Sequence, residues 1–290
     1  MKDILVKATV AGVRVYAAST TNLVQELNEI HGCAPLAAAA LGRAATGALL
    51  LSATMKEDER ITLRFEGNGP LGRIIADAKG NKVRGYVANP LVELPAKNGK
   101  LDVGGGVGEG NIIVTRYAQH AEPFNGYCQL KNGEIATDLA QYLYQSEQTP
   151  STVALGVLVN KNTSVQVAGG YFVQPMPGAS EDVLKQLEDN IMTLPYVTEL
   201  MNAGFTPEKI IGKIGNGLEV SIKEAVEVGQ QCSCTKDKVV GMLMALPLMD
   251  FTDVAAAAVT EIHCDFCNKT YKFTSEELWE LKHKKDRENS

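Results

Sequence analysis

Leu36-Ala37-Ala38-Ala39-Ala40-Leu41-Gly42-Arg43-Ala44-Ala45-Thr46-Gly47-Ala48-Leu49-Leu50-Leu51-Ser52-Ala53-Thr54 can be read in two ways, as a membrane segment or as the middle of a core. Alanine and leucine are strong helix formers, and here they put apolar groups on every face of the helix. The run is short for a membrane span. It also carries Arg43 near its centre, with Gly42 and Gly47 alongside, and a charge at mid-membrane is costly. The sequence therefore predicts a buried helix central to a core, and no membrane partner.

The flanking segments supply what such a helix packs against. Before it, Ile4 to Ala18 alternates around Ala11-Gly12 like two strands, and Thr20-Thr21-Asn22 offers a cap for a helix through Leu23–Leu27. After it, strand-like segments recur at 61–66, 73–78, 82–88, 111–118 and 124–130, separated by Gly, Asn and Pro clusters. Ile135 to Gln145 has helical spacing, and 151–159 with 164–172 reads as a hairpin around Asn160-Lys161-Asn162. Met176-Pro177-Gly178 breaks this pattern. From Ser180 to Gly217 short helices succeed one another, with Val183, Leu184, Leu187 and Ile191 on one face and Thr206-Pro207-Glu208 as a helix start. The expected class is α+β. Residues 1–178 form a mixed α/β core domain with a mostly antiparallel sheet, 179–224 an α-helical linker, and 225–290 a small C-terminal domain.

Composition narrows the function. The 290 residues are 45% hydrophobic and 21% charged, within the globular range. Lys and Arg number 28 against 34 Asp and Glu, a net charge of −6, so the chain as a whole has no attraction for a phosphate backbone and nucleic acid is not expected as a partner. The start, Met1-Lys2-Asp3-Ile4-Leu5-Val6-Lys7, does not read as a secretory signal, which predicts a cytoplasmic protein with reduced thiols.

Two glycine-rich stretches invite a nucleotide reading. Gly67-Asn68-Gly69-Pro70-Leu71-Gly72 matches G-x-G-x-x-G, yet Arg73-Ile74-Ile75-Ala76-Asp77 directly after it looks like a strand and not the helix that a dinucleotide site requires, so a turn is expected. Gly104-Gly105-Gly106-Val107-Gly108-Glu109-Gly110 lacks the Lys-Ser/Thr pair of a P-loop and is read as a flexible loop. Cys33 and Cys128 stand alone and are read as packing residues, although His31 lies two positions from Cys33.

The strong chemical signal is Cys232-Ser233-Cys234 with Cys264-Asp265-Phe266-Cys267. Four thiolates in two close pairs suit a closed tetrahedral zinc site, in which tight turns aim two sulfurs each at one point about 2.3 Å away. The flanking segments 260–263 and 269–273 read as strands around a knuckle. A thioredoxin-like site fits less well, because its C-x-x-C opens a helix in a βαβ unit. A permanent structural zinc and a redox-sensitive one both remain open, since two cysteines one residue apart can also close a small strained disulfide ring. Lys236, Lys238, Lys269 and His263 lie near the thiols in sequence and would favour thiolate. The C-terminal piece has a core worth about 3–5 kcal/mol, whereas structural zinc contributes about 10–16 kcal/mol in small peptides. Loss of metal would therefore unfold it and expose the run Met242-Leu243-Met244-Ala245-Leu246.

At these cysteines the chain resembles the heat shock protein 33 family, the redox-regulated bacterial chaperone holdases. The resemblance extends along the chain. It includes His31-Gly32-Cys33-Ala34-Pro35-Leu36, Ala40-Leu41-Gly42-Arg43, Gln145-Ser146-Glu147-Gln148-Thr149-Pro150-Ser151, Ala168-Gly169-Gly170 and Gln174-Pro175-Met176-Pro177-Gly178. It implies one zinc ion per chain in the reduced, inactive state, held by Cys232, Cys234, Cys264 and Cys267. It further implies that oxidant forms Cys232–Cys234 and Cys264–Cys267 disulfides, releases zinc and activates a homodimer that holds unfolding or oxidatively damaged client proteins without ATP. No enzymatic activity is implied. A rival from another class is a constitutive zinc-ribbon module for nucleic acid or a protein partner, favoured by the basic run 282–287.

Overall fold

The computed structural model describes residues 2–119 and 121–288, and the chain divides into a unit that ends at Gln231 and a second that begins at Cys232. In chain order the first unit holds β1 (Ile4–Val10), β2 (Val13–Ser19), α1 (Thr21–His31), α2 (Pro35–Ser52), β3 (Arg60–Gly67), β4 (Ile74–Lys79), β5 (Lys82–Val87) and α3 (Val103–Val107). It continues with β6 (Gly110–Tyr117), β7 (Phe124–Gln129), α4 (Ala136–Gln145), β8 (Thr152–Val159), β9 (Val165–Pro175), α5 (Glu181–Met192), α6 (Val197–Asn202), α7 (Pro207–Ile214), β10 (Val220–Glu227) and β11 (Gly229–Gln230). Two sheets result, ordered β10-β1-β2-β9-β8 and β11-β5-β4-β3-β6-β7, antiparallel throughout except where β11 runs parallel to β5. The expected mixed α/β body with mostly antiparallel sheets is what forms.

The alanine-rich helix lies where its sequence requires. α2 touches strands of both sheets, and 89% of its most apolar window is buried, although by length and composition alone it could cross a membrane. Small residues let both sheets and α1 approach it: an added Cβ at Gly42 would meet Val24 Cγ1 of α1 at 2.5 Å and Val157 Cγ2 of β8 at 2.9 Å, and one at Gly47 would meet Leu155 Cδ1 of β8 at 3.4 Å and Leu63 Cδ1 of β3 at 3.7 Å. Arg43, in the middle of the helix, reaches Glu134 Oε2 at 2.6 Å, and its charge is thereby paired instead of facing hydrocarbon.

Both faces of the five-stranded sheet are covered. Leu5 and Ala18 join the α2 core, whereas Val6, Ala8, Val10, Val13, Val15 and Ala17 pack on Leu187, Leu200, Ile210, Ile211 and Ile214 of α5, α6 and α7. The segment after residue 179 is thus helical over 181–214 and folds onto the first unit. Val220–Glu227 is a strand that pairs antiparallel with β1, Ile4 opposite Glu227. The second unit starts at Cys232, where pairing with the first sheets has ended.

The glycine stretches are structural. Gly67–Gly72 forms the turn joining β3 to β4, as expected. The second stretch is not a flexible loop: Val103–Val107 is a short helix whose Gly106 and Val107 are buried, with Gly69 N–H donating to Val107 O at 2.9 Å. A Cβ on Gly67 would lie 1.9 Å from Val107 O, so the two stretches pack backbone on backbone.

The second unit comprises α8 (Lys236–Met244), α9 (Leu248–Ala255), β12 (Val259–His263), β13 (Thr270–Thr274) and α10 (Ser275–Glu288), with β12 and β13 forming a hairpin. Its core is Val239, Leu243, Met244, Phe251, Ala255, Tyr271, Phe273 and Leu278. The basic run 282–287 lies on α10, and its side chains from 285 onward fall outside the described residues.

Candidate metal centre

The hairpin presents the second cysteine pair. Cys264 comes directly after β12, and the turn is closed by Cys264 N–H to Lys269 O (3.0 Å), Cys267 N–H to Cys264 O (3.2 Å) and Asn268 N–H to Cys264 O (2.8 Å). Asn268 takes φ of 54°, a left-handed conformation that asparagine tolerates better than most side chains. The first pair lies between β11 and α8. Thr235 caps α8 by accepting the Lys238 N–H at 3.2 Å, and Lys238 Nζ returns to Ser233 O at 2.6 Å, which holds the loop between Cys232 and Cys234.

All four sulfurs lie within 4.8 Å of one another and are half-buried. Cys232 Sγ is 3.7 Å from Cys264 Sγ, and Cys234 Sγ is 3.3 Å from Cys267 Sγ. Sulfurs at the corners of a tetrahedron about 2.3 Å from its centre are separated by about 3.8 Å, so the cluster has the dimensions of a closed four-thiolate metal site. Both of these contacts cross between the two arms, as expected when both face one centre.

The electrostatics are asymmetric. Burial opposes ionisation of Cys234, but hydrogen bonds from Tyr271 and the other three thiols outweigh it and bring the thiol down to about 7. Burial pushes Cys267 up to about 12 and Cys264 upward as well, against backbone N–H groups of Lys269 and Phe266 that favour their thiolates. Of the basic residues expected to do this, Lys238 reaches the Ser233 carbonyl and the other three have partners other than the thiols. Lys236 pairs with Glu277 at 2.6 Å, Lys269 lies over the Tyr271 ring, and His263 Nδ1 bonds Thr270 Oγ1 at 2.8 Å. Sequence reasoning misses Tyr271, whose hydroxyl donates to Cys234 Sγ at 3.2 Å; its only signal there is an aromatic residue on a strand flanking the knuckle.

The remaining thiols are not brought to the cluster. Cys33 is buried in the α2 core, and desolvation pushes its thiol up to about 12. His31 bonds Gly85 O at 2.9 Å. Cys128 is buried in the same core and donates to Gln129 O at 3.2 Å.

Fold and cluster together define an α+β protein with a C-terminal four-cysteine centre able to hold a metal ion. The family model described as Hsp33 protein matches residues 3–274. Similar chains include the "33 kDa chaperonin" of Desulforamulus reducens, 42% identical over 284 residues with 96% of each chain covered. That of Listeria monocytogenes is 40% identical over 286 residues, covering 96% of this chain and 97% of the relative. The crystal structure of the 33 kDa chaperonin of Thermotoga maritima superposes with a TM-score of 0.88 at 35% identity, covering 99% of each chain. The chain belongs to the Hsp33 family.

Proposed function

We propose that the protein is a redox-switched, ATP-independent holdase of the cytoplasm, a binding protein and not a catalyst, whose sensor is the Cys232, Cys234, Cys264 and Cys267 cluster. The observation that carries this reading is the geometry of that cluster in a small unit of a chain that belongs to the Hsp33 family. The relatives' name, 33 kDa chaperonin, supports the chaperone role.

In the reduced protein the four cysteines are the zinc ligands, and zinc when bound would hold them as thiolates and tie the two arms together. The knuckle of β12 and β13 aims Cys264 and Cys267, while the Thr235 cap and Lys238 aim Cys232 and Cys234. Oxidation then takes the family's pairing, Cys232 with Cys234 and Cys264 with Cys267. Each pair of thiolates gives two electrons to a hydrogen peroxide, which takes up two protons from solvent and leaves as two waters, and a disulfide sulfur is no longer a good metal ligand. Freed from the metal, the unit exposes Leu243, Met244, Phe251 and Phe273, apolar side chains that are buried in the closed form. The active species is a homodimer that holds unfolding or oxidatively damaged proteins.

The test measures zinc content and the aggregation of a thermally unfolding client together, before and after peroxide at elevated temperature, without ATP. Zinc release with newly gained suppression of aggregation is the expected result. Zinc that stays bound with aggregation unaffected would leave a constitutive zinc-ribbon module.

A further inference from the structure

The two arms of the cluster are held in different ways. Cys264 and Cys267 belong to the turn of the hairpin, which its own backbone hydrogen bonds close. Cys232 and Cys234 lie outside the hairpin, ahead of α8. Lys238 reaches the first arm at the Ser233 carbonyl, and the Tyr271 hydroxyl reaches it from β13, 3.2 Å from Cys234 Sγ. Tyr271, a residue 6% exposed, stands on β13 opposite Ile262, within the unit's core beside Phe273. A buried tyrosine hydroxyl needs a partner, and phenylalanine would fill the same apolar space without one. The hydroxyl therefore serves the sulfur and not the packing.

We propose that Tyr271 is a positioning residue of the metal centre: its O–H orients Cys234 toward the other three sulfurs, which slows metal loss, and draws electron density from the thiolate, which slows attack by the sulfur on an oxidant. This rests on the zinc-ligand reading of the four cysteines. Partners that hydrogen-bond a ligand commonly change metal affinity by about 10- to 100-fold when removed. A donor on a thiolate also lowers the energy of its lone pairs. Its removal should therefore move a thiolate-to-metal charge-transfer band to longer wavelength.

The experiment uses the full chain. Tyr271→Phe, loaded with zinc and titrated with a competing chelator, should bind about 10-fold more weakly than the unsubstituted protein, and its zinc should leave faster under peroxide. Loaded with cobalt(II), it should show the charge-transfer band at longer wavelength. 3-Fluorotyrosine at this position alone, a stronger donor, should move the band the other way, a reversal that a packing role would not produce. Far-UV circular dichroism of the metal-loaded forms checks that the fold is kept. Affinity within twofold of the unsubstituted protein with an unmoved band in both variants overturns the proposal. If the unsubstituted protein holds zinc against the chelator but keeps it under peroxide, the redox switch fails while Tyr271 is still judged by affinity and band. If it holds no metal, both fall.

Discussion

Asp3 acts on a helix that begins 18 residues after it. Thr20, the expected cap of α1, spends its hydroxyl on Thr46 at 2.8 Å and makes no cap bond. The Asp3 carboxylate takes that place, accepting the Leu23 N–H at 2.8 Å and Asn22 Nδ2–H at 3.2 Å. Burial raises its pKa from 3.8 to about 6, although the helix N–H groups pull the other way. The folded state therefore holds the proton more tightly than the unfolded chain does. That stabilisation is fully present below pH 3.8 and is lost as pH rises to about 6. Across this window Asp3→Asn should gain up to about 3 kcal/mol relative to the unsubstituted protein, by urea unfolding at stepped pH. A difference that stays flat with pH would contradict the burial argument. The cap was illegible because the acceptor comes from the residue ahead of β1, far from the helix in sequence, whereas the gathering of the four cysteines was legible because two close pairs are visible in their spacing. Tyr271 shares the cap's difficulty: its partner is 37 residues away.

Among the elements, those set by local pattern were legible and those set by distant pairing were not. The strands β3 to β9 and the helices α2 and α4 arise from alternation, helical period and turn residues, and they form within a few residues of their expected ends. By contrast Val220-Ser221-Ile222-Lys223-Glu224-Ala225-Val226-Glu227 has one face in solvent and becomes a strand only because β1 offers it an edge. The glycine stretches belong with β10, since only the folded chain shows that one is the other's packing partner. Their closeness can be measured. Gly67→Ala places a Cβ 1.9 Å from a backbone oxygen that cannot swing away, and should cost about 3 kcal/mol or more by denaturant unfolding. Gly241→Ala, in α8 with nothing within 4 Å of its added Cβ, should instead gain about 0.5–1 kcal/mol for its unit. Equal effects at the two sites would mean that helix propensity and not close approach governs these glycines.

For the whole molecule, the contrast between the two units predicts how it comes apart. The first unit buries two extensive apolar clusters, one around α2 and one beneath α5 to α7. Among its described residues the second has eight buried core residues, a scale at which packing supplies about 3–5 kcal/mol. A bound structural metal contributes about 10–16 kcal/mol in comparable peptides, more than that core can replace. Chelation of the metal-loaded protein under reducing conditions should therefore remove hydrogen-exchange protection from α8, α9, β12 and β13 while β1 to β9 keep theirs. The loss should reverse on adding zinc back, because the thiols have not been oxidised. Protection of β13 that survives chelation would show that Phe251, Phe273 and Leu278 suffice to hold the unit. In that case metal release alone could not open it, and the disulfides themselves would have to force Leu243 and Met244 into solvent.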